Sequence, residues 1–287
     1  MVWSAEGRKP VPENLEWPER QSRSKQRGNN VGKIIAITNQ KGGVGKTTTS
    51  INLAASFAAM KRNILLLDLD PQGNATVGSG VHKSQIKYSS DQVLCNEVDI
   101  KEAVIKTTGG FDLLATHQEL IVAEMQLLQL PQREQRLKTI LDKIMQKYDY
   151  ILIDCPPSLS ILTVNALVAA DSVLIPIQCE YFALEGLSGL LNTVEQIRGT
   201  INPKLHIEGL LRTMYDGRNR LALDVSAQLL EHFPERVYRT VIPRNVRLAE
   251  APSHGTAILH YDGKSQGALA YLALAGEILR RSEEKRN

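Results

Sequence analysis

The sequence predicts an α/β fold, a doubly wound, mainly parallel sheet with helices on both faces. Three observations predict it. Short apolar runs recur, as in Ile34–Ile37, Asn63–Leu67 and Tyr150–Ile153, and such unbroken runs belong to strands buried on both faces. Helical patterns fall between them, and strands alternating with helices imply crossover units in one sheet. The first run leads through a glycine-rich loop straight into a helical pattern, at the strand end where an open parallel sheet binds its ligands.

The elements follow in chain order. Residues 1–31 read as a polar, basic tail. They mix Pro10, Pro12 and Pro18 with charges, then run polar from Gln21 to Asn30. No apolar period there offsets the entropy of ordering, although Trp3 and Trp17 could dock. Residues 32–287 read as a single domain, within the usual size range for α/β folds. Ile34–Ile37 is the first strand. Lys46–Met60 is a helix, with Ile51, Ala54, Ala55 and Ala58 on one face. Further strands are expected at Asn63–Leu67, Tyr150–Ile153, Val173–Ile177, Ile207–Leu211 and Arg239–Ile242. Helices are expected at Arg133–Lys147, Ser160–Ala169, Leu184–Gly199, Leu221–His232 and Gly267–Arg281. The stretch Val81–Thr116 gives no clear period and reads as small helices with a loop-rich edge.

Composition removes several classes. No run approaches the roughly 18 apolar residues of a membrane span, and the N-terminal 30 residues lack the apolar core of a secretory signal. The cysteines Cys95, Cys155 and Cys179 are dispersed, which disfavours a disulfide framework, a zinc ribbon and a cysteine-held iron–sulfur cluster. A reducing cytoplasm is the expected compartment. Net charge is +3, but its distribution is uneven. Met1–Lys33 carries seven Lys/Arg against four acids, and Arg212–Arg247 carries seven Arg against four acids with no Lys. A solvated face is the simpler reading of such charge; attraction of a polyanion is the alternative.

Three strand ends carry chemistry. After the first strand comes Gln40-Lys41-Gly42-Gly43-Val44-Gly45-Lys46-Thr47-Thr48. Glycines at 42, 43 and 45 let backbone N–H groups turn inward around phosphates, at a helix N-terminus that favours anions. Lys46 would reach the β- and γ-phosphates and the Thr47 hydroxyl would bind Mg²⁺. The second end is Asp68-Leu69-Asp70-Pro71-Gln72-Gly73-Asn74. Two carboxylates at i and i+2 of an extended segment point the same way, and one near a γ-phosphate can orient water or a Mg²⁺-bound water. The third is Asp154 after Tyr150–Ile153, an acid placed to hold a water on Mg²⁺. Cys155 beside it reads as a small buried thiol.

The plain phosphate-loop pattern asks for glycine where Gln40 stands, and a second lysine, Lys41, follows. Lys-Gly-Gly-Val-Gly-Lys-Thr-Thr resembles the deviant Walker A motif of the ParA/MinD class of P-loop ATPases. Asp68–Asn74 resembles that class's second switch motif, Pro176–Gly186 the stretch lining its dimer face, and Ile242–Ser253 its C-terminal signature by the adenine. With Thr213–Arg218 these stretches are similar to the chromosomal ParA/Soj type, over roughly Lys33–Leu279.

The resemblance implies an ATP-driven switch with ATP and Mg²⁺ as cofactors. It implies a nucleotide-sandwich homodimer in which Lys41 crosses to the partner's nucleotide, much as an arginine finger does. It assigns catalysis to Lys41, Lys46 and Asp70, nucleotide binding to Lys41–Thr48 with Pro243 and Asn245, and metal to Thr47 directly with Asp70 and Asp154 through water. It matches Arg218 and Arg247 to phosphate contacts on non-specific double-stranded DNA, and it implies a ParB-type centromere-binding partner, no membrane, and a cytoplasmic, nucleoid-associated protein. The rival readings are a MinD-like membrane-cycling ATPase and a relative that positions a protein cargo. The first needs a basic amphipathic C-terminal helix, whereas the last helix here is diluted by alanines.

Overall fold

The computed structural model describes residues 32–284; the tail expected over residues 1–31 lies outside the described residues. Eight strands form one sheet: β1 (Lys33–Ile37), β2 (Ile64–Asp68), β3 (Val104–Lys106), β4 (Asp112–Leu114), β5 (Tyr150–Asp154), β6 (Ser172–Gln178), β7 (His206–Tyr215) and β8 (Val237–Pro243). Their order is β3-β4-β2-β5-β1-β6-β7-β8. Every neighbouring pair is parallel except β3 with β4. From β1 the sheet grows one way through β2 and the other way through β6, so the winding reverses there and opens a crevice at the strand ends.

The unbroken apolar runs are explained by two cores. Ile34, Ala36, Leu65, Leu67, Ile151 and Ile153 face one of them. Ile35, Ile37, Ile64, Leu66 and Leu152 face the other. Successive side chains alternate across a strand, so a strand covered on both sides turns apolar residues to each core in turn. Helix α1 (Lys46–Ala59) packs on the second core through Ile51, Leu53, Ala54 and Phe57, beside the C-terminal helix Gln266–Glu284. Phe57 stacks on Tyr150 at 4.5 Å. Helices Ile161–Ala169 and Ala183–Thr200 cover the first core.

Some elements differ from the sequence reading. The helix expected over Arg133–Lys147 is broken into a short α-helix, Arg136–Leu141, between two 3₁₀ turns. Its apolar face is real, since Leu137, Ile140, Leu141 and Ile144 are buried. Ile144, however, leaves helical geometry at φ −130° as the chain turns toward β5. A helix at Leu120–Leu127 had no periodic signal, because Ile121, Val122 and Met125 on its outer side are as apolar as the buried Leu120, Ala123 and Leu127. The Val81–Thr116 stretch holds the expected small helices, at Ser90–Leu94 and Ile100–Ala103, and adds β3 at the sheet edge and β4 beside it, three residues each and too short to show a period. Strand β2 ends at Asp68, and Asp70 lies two residues beyond it.

The C-terminal helix buries Tyr271, Leu274, Ala275 and Ile278 against the domain, leaving Leu269 exposed. No helix among the described residues is long and apolar enough to cross a membrane.

Candidate nucleotide site

The phosphate loop joins β1 to α1 beyond the carboxyl end of the sheet. Gly43 and Gly45 adopt left-handed conformations, φ 73° and 87°, which side chains with a Cβ resist. Gly45 caps α1 without a side-chain hydrogen bond, so the first N–H groups of the helix stay free for an anion. The loop is pinned from outside. Thr213 Oγ1 donates to the Val44 carbonyl at 2.8 Å. Asn39 Nδ2 donates to the Pro176 carbonyl, and Asn39 Oδ1 accepts from the Lys41 N–H.

The two lysines of the loop sit differently. Lys46 is 7% exposed and its Nζ donates to the Lys41 carbonyl at 3.1 Å. Burial holds its pKa below the ordinary lysine value, against the pull of Asp154 and Asp70. A cation held without full solvation is poised for phosphate oxygens. Lys41 is 37% exposed, and its Nζ is 2.6 Å from Glu180 Oε2 on the rim. Glu180 precedes Tyr181 and Phe182, which meet edge to face and are exposed at 76% and 63%.

Asp154 and Asp68 end neighbouring strands in register, both fully buried. Burial raises the pKa of each, and their mutual repulsion adds to that of Asp154. Ser50 Oγ donates to Asp154 Oδ1 at 2.8 Å, whereas Asp154 Oδ2 is buried with no well-formed hydrogen bond. A buried carboxylate oxygen left over in this way needs a partner. It lies by Thr47, whose hydroxyl stabilises the same carboxylate. A hard cation with its waters fits this donor set. Among the described residues no cluster of three or more His, Cys, Asp or Glu could hold a metal alone, so such an ion would depend on phosphate and water ligands.

Asp68 is occupied structurally. Its Oδ2 accepts from both the N–H and the hydroxyl of Thr76 at 2.7 Å, and its Oδ1 from the Asp70 N–H. It thereby positions the following loop. Asp70 keeps more freedom, accepting from the Gln72 N–H.

A cavity of about 380 Å³ adjoins the loop, between Gly43, Gly45 and Thr48 on one side and Met214, Pro243 and Asn245 on the other. Pro243 and Asn245 are therefore brought to the loop from the far end of the sheet. Asn245 Oδ1 also caps the following short helix by accepting from the Leu248 N–H. Arg218 and Arg247 do not line this cavity. Arg218 pairs with Asp216 through two bonds of 2.8 and 2.9 Å, and Arg247 with Glu250 at 2.9 Å.

Sequence reasoning missed Ser50, Asn39 and Tyr271. Ser50 was findable, one turn after Lys46 and Thr47 on α1. Tyr271, which meets Thr49 Oγ1 at 3.2 Å from another helix, left no local signal.

Comparison with known proteins agrees with this geometry. Residues 32–207 match a family model described as an AAA domain. The sporulation initiation inhibitor protein Soj of Bacillus subtilis is 52% identical over 86% of this chain and 98% of its own length. The chromosome partitioning protein ParA of Caulobacter vibrioides is 47% identical over 88% of this chain and 96% of its own. Among solved structures, cobyrinic acid a,c-diamide synthase from Mycobacterium smegmatis with bound ADP and magnesium superposes with a TM-score of 0.78. It is 36% identical, covering 88% of this chain and 96% of that one.

Proposed function

The chain belongs to the Soj/ParA family of chromosome-partitioning ATPases, and on that premise we propose that it is an ATP-gated dimerising switch. Its dimer binds double-stranded DNA without sequence preference and drives segregation with a ParB-type partner. Lys46 and the N–H groups of Gly42–Thr48 hold the phosphates, and the base occupies the cavity at Pro243 and Asn245. Thr47, with Asp154 and Asp70 through water, holds Mg²⁺, which neutralises phosphate charge. Asp70 orients the attacking water.

One observation carries the dimer reading. Lys41 is the second cation of the loop, yet its ammonium is turned to Glu180 on an exposed rim with Tyr181 and Phe182. A lysine so placed can reach across to a second copy's nucleotide once Glu180 lets go. Two aromatic side chains in water at the same rim fit a surface that becomes covered. Arg218 and Arg247 then act on DNA through phosphates alone, which makes binding sequence-blind and steeply salt-dependent. Two copies of the patch in one dimer make the binding depend on ATP.

The test is retention of random-sequence duplex DNA with ATP, ADP or no nucleotide across a salt series, alongside sizing. ATP-only dimers that bind DNA and lose it with salt are expected. Dimers without DNA binding in any state would leave the ATP switch and discard the segregation role. In Lys41→Ala, ATP should still bind to a monomer that no longer dimerises.

A further inference from the structure

A second cavity lies at the opposite edge of the sheet. It has a volume of about 470 Å³ and opens where Arg62 precedes β2, Asp112 begins β4 and Tyr148 precedes β5. Lys101, Lys106 and Lys147 complete its charged lining. The lone carboxylate among these groups is already satisfied. Asp112 pairs with Lys106 at 2.7 Å and accepts from the Tyr148 hydroxyl at 3.0 Å. Lys101 and Lys147 make no ion pair among the described residues, and the Nε of Arg62 is buried without a hydrogen-bond partner. The C-terminal end of α1 accounts for a cation at Arg62, where the helix dipole favours one. It does not account for three more converging on the same concavity. Like charges gathered in a cleft repel each other and focus a positive potential.

We propose that this cleft is a binding site for a small diphosphate-bearing anion, such as a nucleoside diphosphate, distinct from the phosphate loop. The volume is that of a small-ligand pocket. Three cations not committed to a carboxylate match the charge of a diphosphate, and Arg62 presents a planar fork suited to phosphate oxygens. The cleft lies at the far end of α1 from the phosphate loop, roughly 20 Å along a helix of this length. One ligand cannot fill both sites.

The probe is inorganic pyrophosphate, titrated calorimetrically into the full chain with its phosphate loop first saturated by ADP and Mg²⁺. Binding at one further site is expected. In a Lys101→Ala/Lys147→Ala variant, both side chains being exposed and away from the core, that binding should weaken about tenfold or more while ADP affinity and the melting temperature hold. Absence of a second site at millimolar pyrophosphate overturns the proposal. So does unchanged pyrophosphate binding in the variant. Loss of duplex DNA retention by the variant, without any pyrophosphate site in the parent, overturns it in favour of a nucleic-acid backbone. The pyrophosphate, ADP and melting readouts require neither a dimer nor DNA binding, so the segregation reading can fail separately.

Discussion

The phosphate loop and the arginine surface both present cations, but they are prepared in opposite ways. Lys46 is buried, its pKa lowered by burial, and two strands, β6 and β7, pin the loop that carries it. Arg218 and Arg247 stand in solvent, Arg218 held by Asp216 two residues before it and Arg247 by Glu250 and, at 3.7 Å, Asp262. The loop has its desolvation cost built into the fold, so a ligand meets donors already in place. An anion arriving at the arginines would have to displace a carboxylate in water, where each pair is worth little. Under the proposed function, these two designs would give tight nucleotide binding and weak, salt-tunable DNA binding.

The sharpest way to break that contrast is Lys46→Ala. Removing one partner of a buried charge contact costs about 2–5 kcal/mol, so ATP affinity should fall by roughly 30-fold to several thousand-fold. Retained tight ATP binding in an equilibrium titration would show that the loop is not the site. Asp70→Ala should leave ATP binding intact and lower turnover by about 10²–10⁴, the usual worth of a positioned acid–base group. Sizing should then find a trapped ATP-bound dimer. Wild-type turnover in that variant would remove Asp70 from the mechanism. On the arginine surface, effects should be smaller. Arg247→Glu should weaken duplex binding about tenfold and flatten its log–log salt slope by about 2 for a dimer losing a contact in each half. Dimerisation should be untouched, since Arg247 lies away from Lys41 and Glu180 in chain and contact.

The same contrast decides what could be read from the sequence. The loop was legible because its chemistry is local. Glycines at 43 and 45 must take left-handed backbone, and Lys46 and Thr47 must open a helix, all within nine residues. Asp154 was legible because an apolar run ends on it. The structural task of Asp68 was partly hidden, since its partner Thr76 lies eight residues on, in a short helix. The ties of Lys41 to Glu180 and of Ser50 to Asp154 span 139 and 104 residues, and no periodicity reaches so far. The helix at Leu120–Leu127 was illegible for another reason. Its exposed side is apolar, so the inside–outside contrast that marks a helix is missing. The arginine stretch was visible as charge, but nothing in a count of charges says which carboxylates already occupy Arg218 and Arg247.

Those carboxylates give the smallest and most discriminating effect. The hydrogen bonds from Arg218 hold the Asp216 carboxyl down to about 2. A depressed carboxyl stays ionised at every pH above that value, so acidifying a binding assay from pH 8 to pH 5 leaves the Arg218 pair intact. The pair therefore cannot act as a proton-operated release. Neutralising it by substitution is different. Asp216→Asn keeps the size of the side chain and removes the competing charge, so DNA phosphate no longer has to displace an anion. Duplex affinity at fixed ATP and salt should rise, by about two- to fivefold for an exposed pair. Asp216→Asn combined with Glu250→Gln should rise further, and the gain should shrink with added salt as screening weakens both the pair and its competitor. Weaker DNA binding in Asp216→Asn would mean that Asp216 orients Arg218 for the phosphate rather than competing with it. That outcome would place the arginine surface with the phosphate loop, as a site prepared in advance, and would end the contrast.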